Sequence, residues 1–181
     1  MNKYIALLRG INISGKNKIS MSELKASFLS HGYTDALSYL NSGNIIFCCN
    51  TEDKIQISSD IRAMIKKEFE LDIPVLVISQ SELKTLLDKK PDWWGNADNG
   101  WYDNLIFVLP SATAVEIAEK VGQPTADLER IEVFENNIFW SFDRVKYAKA
   151  NWWKKTASVG IGELLTIRTA NKLKKIVEML E

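Results

Sequence analysis

The chain contains one histidine, two cysteines and four prolines, and these shortages exclude much chemistry before any motif is considered. A tetrahedral zinc centre needs more ligands than His31, Cys48 and Cys49 supply, and a Ser-His-Asp relay would rest on His31 alone. The two cysteines are adjacent in an apparent strand, so their side chains point to opposite faces and cannot meet disulfide geometry. They read as strand packing in a reducing compartment. His31 stands beside Gly32 at the end of a helical pattern, where a cation meets the helix dipole favourably. No metal and no cofactor are expected. Long apolar runs are also missing. Met1 to Leu8 is apolar but far short of the roughly 20 residues that span a bilayer, and Lys3 and Arg9 bracket it without a small-residue cleavage site behind. The expectation is a cytoplasmic protein without a membrane partner. Net charge is absent too, with 23 Lys and Arg against 23 Asp and Glu, which argues against a dedicated nucleic-acid binder.

What is present is enough apolar material for a core, 46% of 181 residues, as one domain or two small ones. The charges that cancel in sum are segregated along the chain. Lys3, Arg9, Lys16 and Lys18 precede the first acid, Glu23, and Arg144, Lys146, Lys149, Lys154 and Lys155 fall between Asp143 and Glu163. From Pro91 to Asp143, by contrast, ten acids stand against Lys120 and Arg130.

Periodicity gives an element order. Tyr4 to Leu8 reads as a buried strand, followed by a loop of Gly, Asn, Ser and Lys up to Ile19. Ser20 and Glu23 have capping-box spacing, and Met21, Leu24, Phe28 and Leu29 form one helical face. Leu37 to Leu40 and Ile45 to Cys49 flank a turn predicted at Asn41-Ser42-Gly43-Asn44. A helix carrying Ile57, Ile61, Met64, Ile65 and Phe69 and a strand at Val75 to Ile78 complete a βαββαβ order. After a helix at Ser81 to Lys89 and a Trp-containing loop, Pro91 to Gly100, the pattern restarts. Leu105 to Leu109 is a strand, Ser111 or Thr113 caps a helix to Val121, and Ile131 to Phe134 pairs with Ile138 to Phe142 across Glu135-Asn136-Asn137. A basic aromatic segment, a glycine-containing stretch and a final helix with Leu173, Ile176, Val177 and Leu180 inward follow. The fold expected is α+β, two tandem ferredoxin-like lobes with antiparallel sheets and helices on one face. The expected boundaries are 1–80 for the first lobe, 81–102 for the linker helix and loop, and 103–181 for the second lobe with its terminal helix.

The run Ala6-Leu7-Leu8-Arg9-Gly10-Ile11-Asn12, continued by Gly15-Lys16-Asn17-Lys18, together with Tyr39-Leu40-Asn41-Ser42-Gly43-Asn44, resembles a widespread bacterial family of conserved proteins of unknown function. The resemblance implies paired ferredoxin-like lobes and no established activity. A family motif near the end, TTRNWNT, is met here by Thr166, Arg168 and Asn171 alone, without its tryptophan.

The first loop is the leading candidate site. Gly10 to Asn17 nearly matches the phosphate-binding pattern GxxxxGK[ST], but Asn17 stands where a magnesium-binding hydroxyl belongs and the next helix is capped separately at Ser20. A looser anion cradle remains, with Arg9, Gly10, Asn12, Gly15 and Lys16 and, from the hairpin, Asn41, Ser42 and Asn44. The expected partner is an anionic small molecule, a nucleotide or a phosphate ester. Acylphosphatase, on the same fold plan, pairs a first-loop arginine with a strand asparagine, which makes Arg9 with Asn41 or Asn44 an analogue for an acyl-phosphate or phosphoester hydrolase. A secondary basic site is Lys149, Trp152, Arg168 and Asn171, within segments that interleave cations and aromatics as single-stranded nucleic-acid binders do. Against it, Val145, Ala148 and Trp152 at helical spacing form a buried face. A protein-interaction module using exposed aromatics or a sheet edge is the fourth class.

Overall fold

The computed structural model describes residues 1–96 and 100–181, so Ala97 to Asn99 of the predicted Trp-containing loop, and Asp98 of the acidic stretch, lie outside the described residues. The chain divides into two compact units, Met1–Lys84 with Ile176–Glu181, and Thr85–Lys175.

The first unit runs β1 (Asn2–Leu8), α1 (Met21–Ser30), β2 (Thr34–Tyr39), β3 (Asn44–Cys49), α2 (Lys54–Phe69), β4 (Val75–Ser79) and the start of α3 (Gln80–Asp88). Its sheet has the order β2-β3-β1-β4, with every neighbouring pair antiparallel. Period-two alternation explains why both helices lie on one face. Tyr4, Ala6 and Leu8 of β1 and Phe47 and Cys49 of β3 join Leu24 and Phe28 of α1 and Ile57, Ile61 and Ile65 of α2 in one buried cluster. Ser20 caps α1 by accepting from the Glu23 N–H, and Asp53 caps α2 by accepting from the Ile55 and Gln56 N–H groups.

The second unit repeats the plan with β5 (Trp101–Val108), α4 (Ala114–Val121), β6 (Glu129–Phe134), β7 (Asn137–Asp143), α5 (Asn151–Thr156), β8 (Leu165–Thr169) and most of α6 (Ala170–Leu180). Its sheet order, β6-β7-β5-β8, is the first unit's order restated. Ile106 and Val108, with Ile138, Trp140 and Phe142, meet Ile117 and Val121 of α4 and Trp152 of α5 in the core.

Several local expectations shift. The strand β8 falls where the sequence shows only a glycine-containing stretch before the last helix, so Thr166 and Arg168 belong to a strand. Asn44 is the first residue of β3, paired with Tyr39, and the reversal is Leu40 to Gly43. Within it the left-handed positions are Leu40 and Gly43, not the asparagines. Between β7 and α5 a 3-10 turn at Tyr147–Lys149 interrupts the helical spacing, which leaves Val145 exposed while Trp152 is buried.

Candidate functional site

The first loop, Arg9 to Ser20, is a small closed structure. Asn12 takes a positive φ, as do Gly10, Ser14, Gly15 and Asn17, and the reversal at Ile13 to Lys16 is closed by the Lys16 N–H donating to the Ile13 carbonyl at 2.9 Å. Asn12 holds the loop together from inside. Its N–H donates to the Asn17 carbonyl (3.1 Å), its Oδ1 accepts from the Ile19 N–H (2.9 Å), and its Nδ2 donates to the Ile19 carbonyl (2.9 Å). The Asn17 carboxamide returns a bond to the Gly10 carbonyl at 2.9 Å.

The same Asn12 Nδ2 donates to the Asn41 carbonyl at 3.0 Å, which brings the two signature segments together. The approach is close. The Leu8 N–H donates to the Gly43 carbonyl at 2.8 Å, and a Cβ on Gly43 would stand 2.7 Å from Leu8 Cβ and 3.0 Å from Ile11 Cδ1. Ile11 is buried beneath the loop, so the chain is pinned at a hydrophobic anchor as well as by polar bonds. Of the candidate residues, Gly15, Lys16 and Asn41 are exposed, Arg9, Gly10, Asn12 and Ser42 are half-buried, and Asn44 is fully buried. The Asn44 carboxamide donates to the Tyr39 carbonyl (3.0 Å) and to Ser42 Oγ (3.1 Å), so it shapes the hairpin from within. Arg9 is fixed at its backbone, its N–H donating to the Pro74 carbonyl at 3.0 Å. Among the described residues no carboxylate lies within ion-pair distance of Lys16. A cleft of about 770 Å³ opens at the other end of β1, lined by Met1 to Tyr4 and by Lys54 paired with Glu82, and the first loop is not part of it.

In the second lobe the secondary candidates separate. Lys149 is exposed on the 3-10 turn and Asn171 on α6. Trp152 is buried, its Nε1 donating to the Gly122 carbonyl at 2.9 Å. Arg168 is buried in β8, with Nη1 donating to Thr166 Oγ1 and to the Ile167 carbonyl, each at 2.9 Å. Burial lowers its guanidinium to about 10. An indole used in the core is not a stacking platform, so the exposed aromatics of the segment are Tyr147 and Trp153, the latter next in sequence.

Trp153 belongs to a cluster that sequence spacing did not reveal. Its ring meets Phe142 at 5.1 Å and Tyr147 at 4.8 Å between centroids, and Phe142 in turn meets Tyr102 at 5.3 Å and Trp140 at 4.8 Å. The signal was half visible: Trp140 and Phe142 alternate on one face of β7, but their partners come from β5 and α5. Glu129, buried on β6, sets the start of α5, its carboxylate accepting from the N–H groups of Trp152 (2.9 Å), Trp153 (3.2 Å) and Thr125 (3.0 Å). His31, as its place beside Gly32 implies, ends α1, its Nδ1 2.9 Å from the Ser27 carbonyl.

Two βαββαβ sheets of identical strand order define an α+β protein of tandem ferredoxin-like lobes. The family described as "Protein of unknown function (DUF1697)" matches residues 1–139, and the chain belongs to it. Its fold is also that of the conserved bacterial protein SP0830 from Streptococcus pneumoniae, at 26% identity over 99% of both chains with a TM-score of 0.86. Among curated proteins none matches. Among the described residues no helix is long and apolar enough to cross a membrane.

Proposed function

We propose that the first lobe binds an anionic small molecule, a nucleotide or phosphate ester, on the surface where the first loop meets the Leu40–Gly43 reversal. The bond from Asn12 Nδ2 to the Asn41 carbonyl carries this reading, because it makes one rigid surface of two segments 29 residues apart. Rigidity matters energetically. A loop already closed by its own hydrogen bonds loses little entropy when a ligand arrives. With the N–H groups of Asn12, Lys16 and Ile19 engaged inside the loop, attraction falls to the cations Arg9 and Lys16 and to the Asn41 and Ser42 side chains at the rim. This differs from a phosphate-loop nest, in which successive backbone N–H groups converge on the anion.

Amide-resolved NMR titration with inorganic phosphate and glycerol 3-phosphate tests the reading. Saturable shifts are expected at Gly10, Gly15, Lys16 and Ser42. Removing one charged contact in Arg9→Ala or Lys16→Gln weakens binding by about tenfold. Unmoved loop amides, or affinity unchanged in both variants, would remove the proposal.

A further inference from the structure

The second lobe holds a cleft of its own. It has a volume of about 300 Å³ and is walled by Tyr102, Asn104, Trp140, Phe142, Trp153 and Thr156. A second hollow of about 290 Å³ adjoins it, sharing Tyr102, Phe142 and Trp153 and adding Arg144 and Tyr147.

Three observations point to an occupant. Trp140 lines the cleft, yet its indole Nε1–H is buried without a hydrogen-bond partner among the described residues. Buried donors almost always have a partner, and an orphaned one on a residue of the cleft wall is a donor that a bound acceptor would satisfy. The walls are aromatic and open, with Tyr102 38%, Tyr147 41% and Trp153 42% exposed, so planar surface is presented to an incoming ring. The charge is of one sign. No Asp or Glu lines either hollow, and Arg144 lies with its guanidinium 5.1 Å from the Tyr102 ring centroid. Its Nε donates to the Trp101 carbonyl at 2.9 Å, and no carboxylate of the described residues is within ion-pair distance. A cationic ligand would be repelled by Arg144 and would find no counter-charge. A planar, acceptor-bearing ring with an anionic group attached satisfies all three features.

We propose that this cleft is a nucleoside-phosphate site, with the base against Trp153 and Tyr102, a base acceptor on the Trp140 indole N–H, and the phosphate at Arg144. The cleft volume is at the lower end for small-molecule sites and suits one base. Glu129 is the positioning residue, since its carboxylate fixes the first turn of α5 and hence Trp153. The site shares no residue with the first-lobe surface and stands or falls separately.

The test uses the full chain labelled with ¹⁵N and the indole resonance of Trp140, assigned with Trp140→Phe. Titration with AMP, GMP, CMP and UMP is expected to shift that resonance downfield and saturably for at least one of them. The matching nucleoside shifts it with weaker affinity, and ribose 5-phosphate leaves it in place. Trp153→Ala is expected to weaken the nucleotide by about tenfold or more through lost stacking. Arg144→Gln is expected to weaken the nucleotide by about tenfold and leave the nucleoside unchanged. The Trp140 indole resonance reports this cleft alone, which separates its titration from that of the first loop. A 5′-phosphorylated oligonucleotide that binds over about tenfold tighter than the mononucleotide and weakens with salt assigns the base to a strand end, and equal binding assigns it to the free nucleotide. A Trp140 indole unmoved by all four nucleotides at millimolar concentration, or affinity unchanged in Trp153→Ala, overturns the proposal.

Discussion

Gly43 and Asn12 show how two residues in the YLNSGN and ALLRGIN segments divide the work of joining them. Asn12 supplies polar bonds, and Gly43 supplies the space for the approach. Gly43→Ala would force both a left-handed φ of 75° and a Cβ contact of 2.7 Å with Leu8 Cβ, a main-chain-fixed atom that cannot swing away. Gly15 has a nearly identical φ of 76° but no atom within 4 Å of an added Cβ. The expected destabilisation in urea unfolding is therefore about 3 kcal/mol or more for Gly43→Ala and about 1–2 kcal/mol for Gly15→Ala. Equal losses would show that strain alone, without the close approach, explains Gly43. In the sequence both glycines look alike, because the pattern reports the turn and not what presses against it.

At the level of elements, the start of α4 is closed by a reciprocal capping box at Thr113, one of the two caps, Ser111 or Thr113, that the sequence offers. Thr113 accepts from the Glu116 N–H (3.2 Å), and the Glu116 carboxylate accepts from the Thr113 N–H (2.8 Å) and its hydroxyl (2.9 Å). The Thr113 backbone N–H, and then its hydroxyl, hold the Glu116 carboxyl below the usual range. A carboxylate with its folded pKa lowered stabilises the fold above its unfolded pKa, and this contribution disappears as pH falls through the folded value. Thr113→Ala should lower stability by about 1 kcal/mol at neutral pH. NMR titration should then show the Glu116 pKa moving back toward the ordinary value. An unshifted Glu116 in that variant would contradict the capping account. The short α5 is a different case. Its start depends on Glu129, 22 residues before Asn151 in sequence, so no local spacing announces it. The strand β8 is hidden for a different reason. Its Leu165–Thr169 run includes a buried arginine, which interrupts the apolar pattern that announces a strand and is accommodated by bonds to Thr166 Oγ1 and the Ile167 carbonyl within the same strand.

On the scale of the whole molecule, the chain's last residues return to its first unit. The Leu180 carbonyl accepts from Lys3 Nζ at 2.6 Å and from Gln80 Nε2 at 3.0 Å. Ile176 and Leu180 are both buried, each such side chain contributing about 1.5–3 kcal/mol. Deleting 176–181 is expected to speed amide exchange in β1 and at Gln80 to Lys84, and unchanged protection there would show that these residues are dispensable to the first unit.

Local rules alone, strand alternation, helical periodicity and capping, specify the α+β class, the βαββαβ order of the first lobe, the βαββ opening of the second and both hairpins, because each segment obeys them without its neighbours. The sequence by itself also marked the Arg9 to Lys18 loop and the Asn41 to Asn44 segment, through glycine and asparagine at turn positions. The fold alone brings Asn12 to the Asn41 carbonyl, sets Trp153 at the cleft and leaves the Trp140 N–H orphaned. Those outcomes depend on strand order, which places β1 beside β3 and β5 beside β7, and on partners tens of residues away, whose distances no spacing in one dimension encodes.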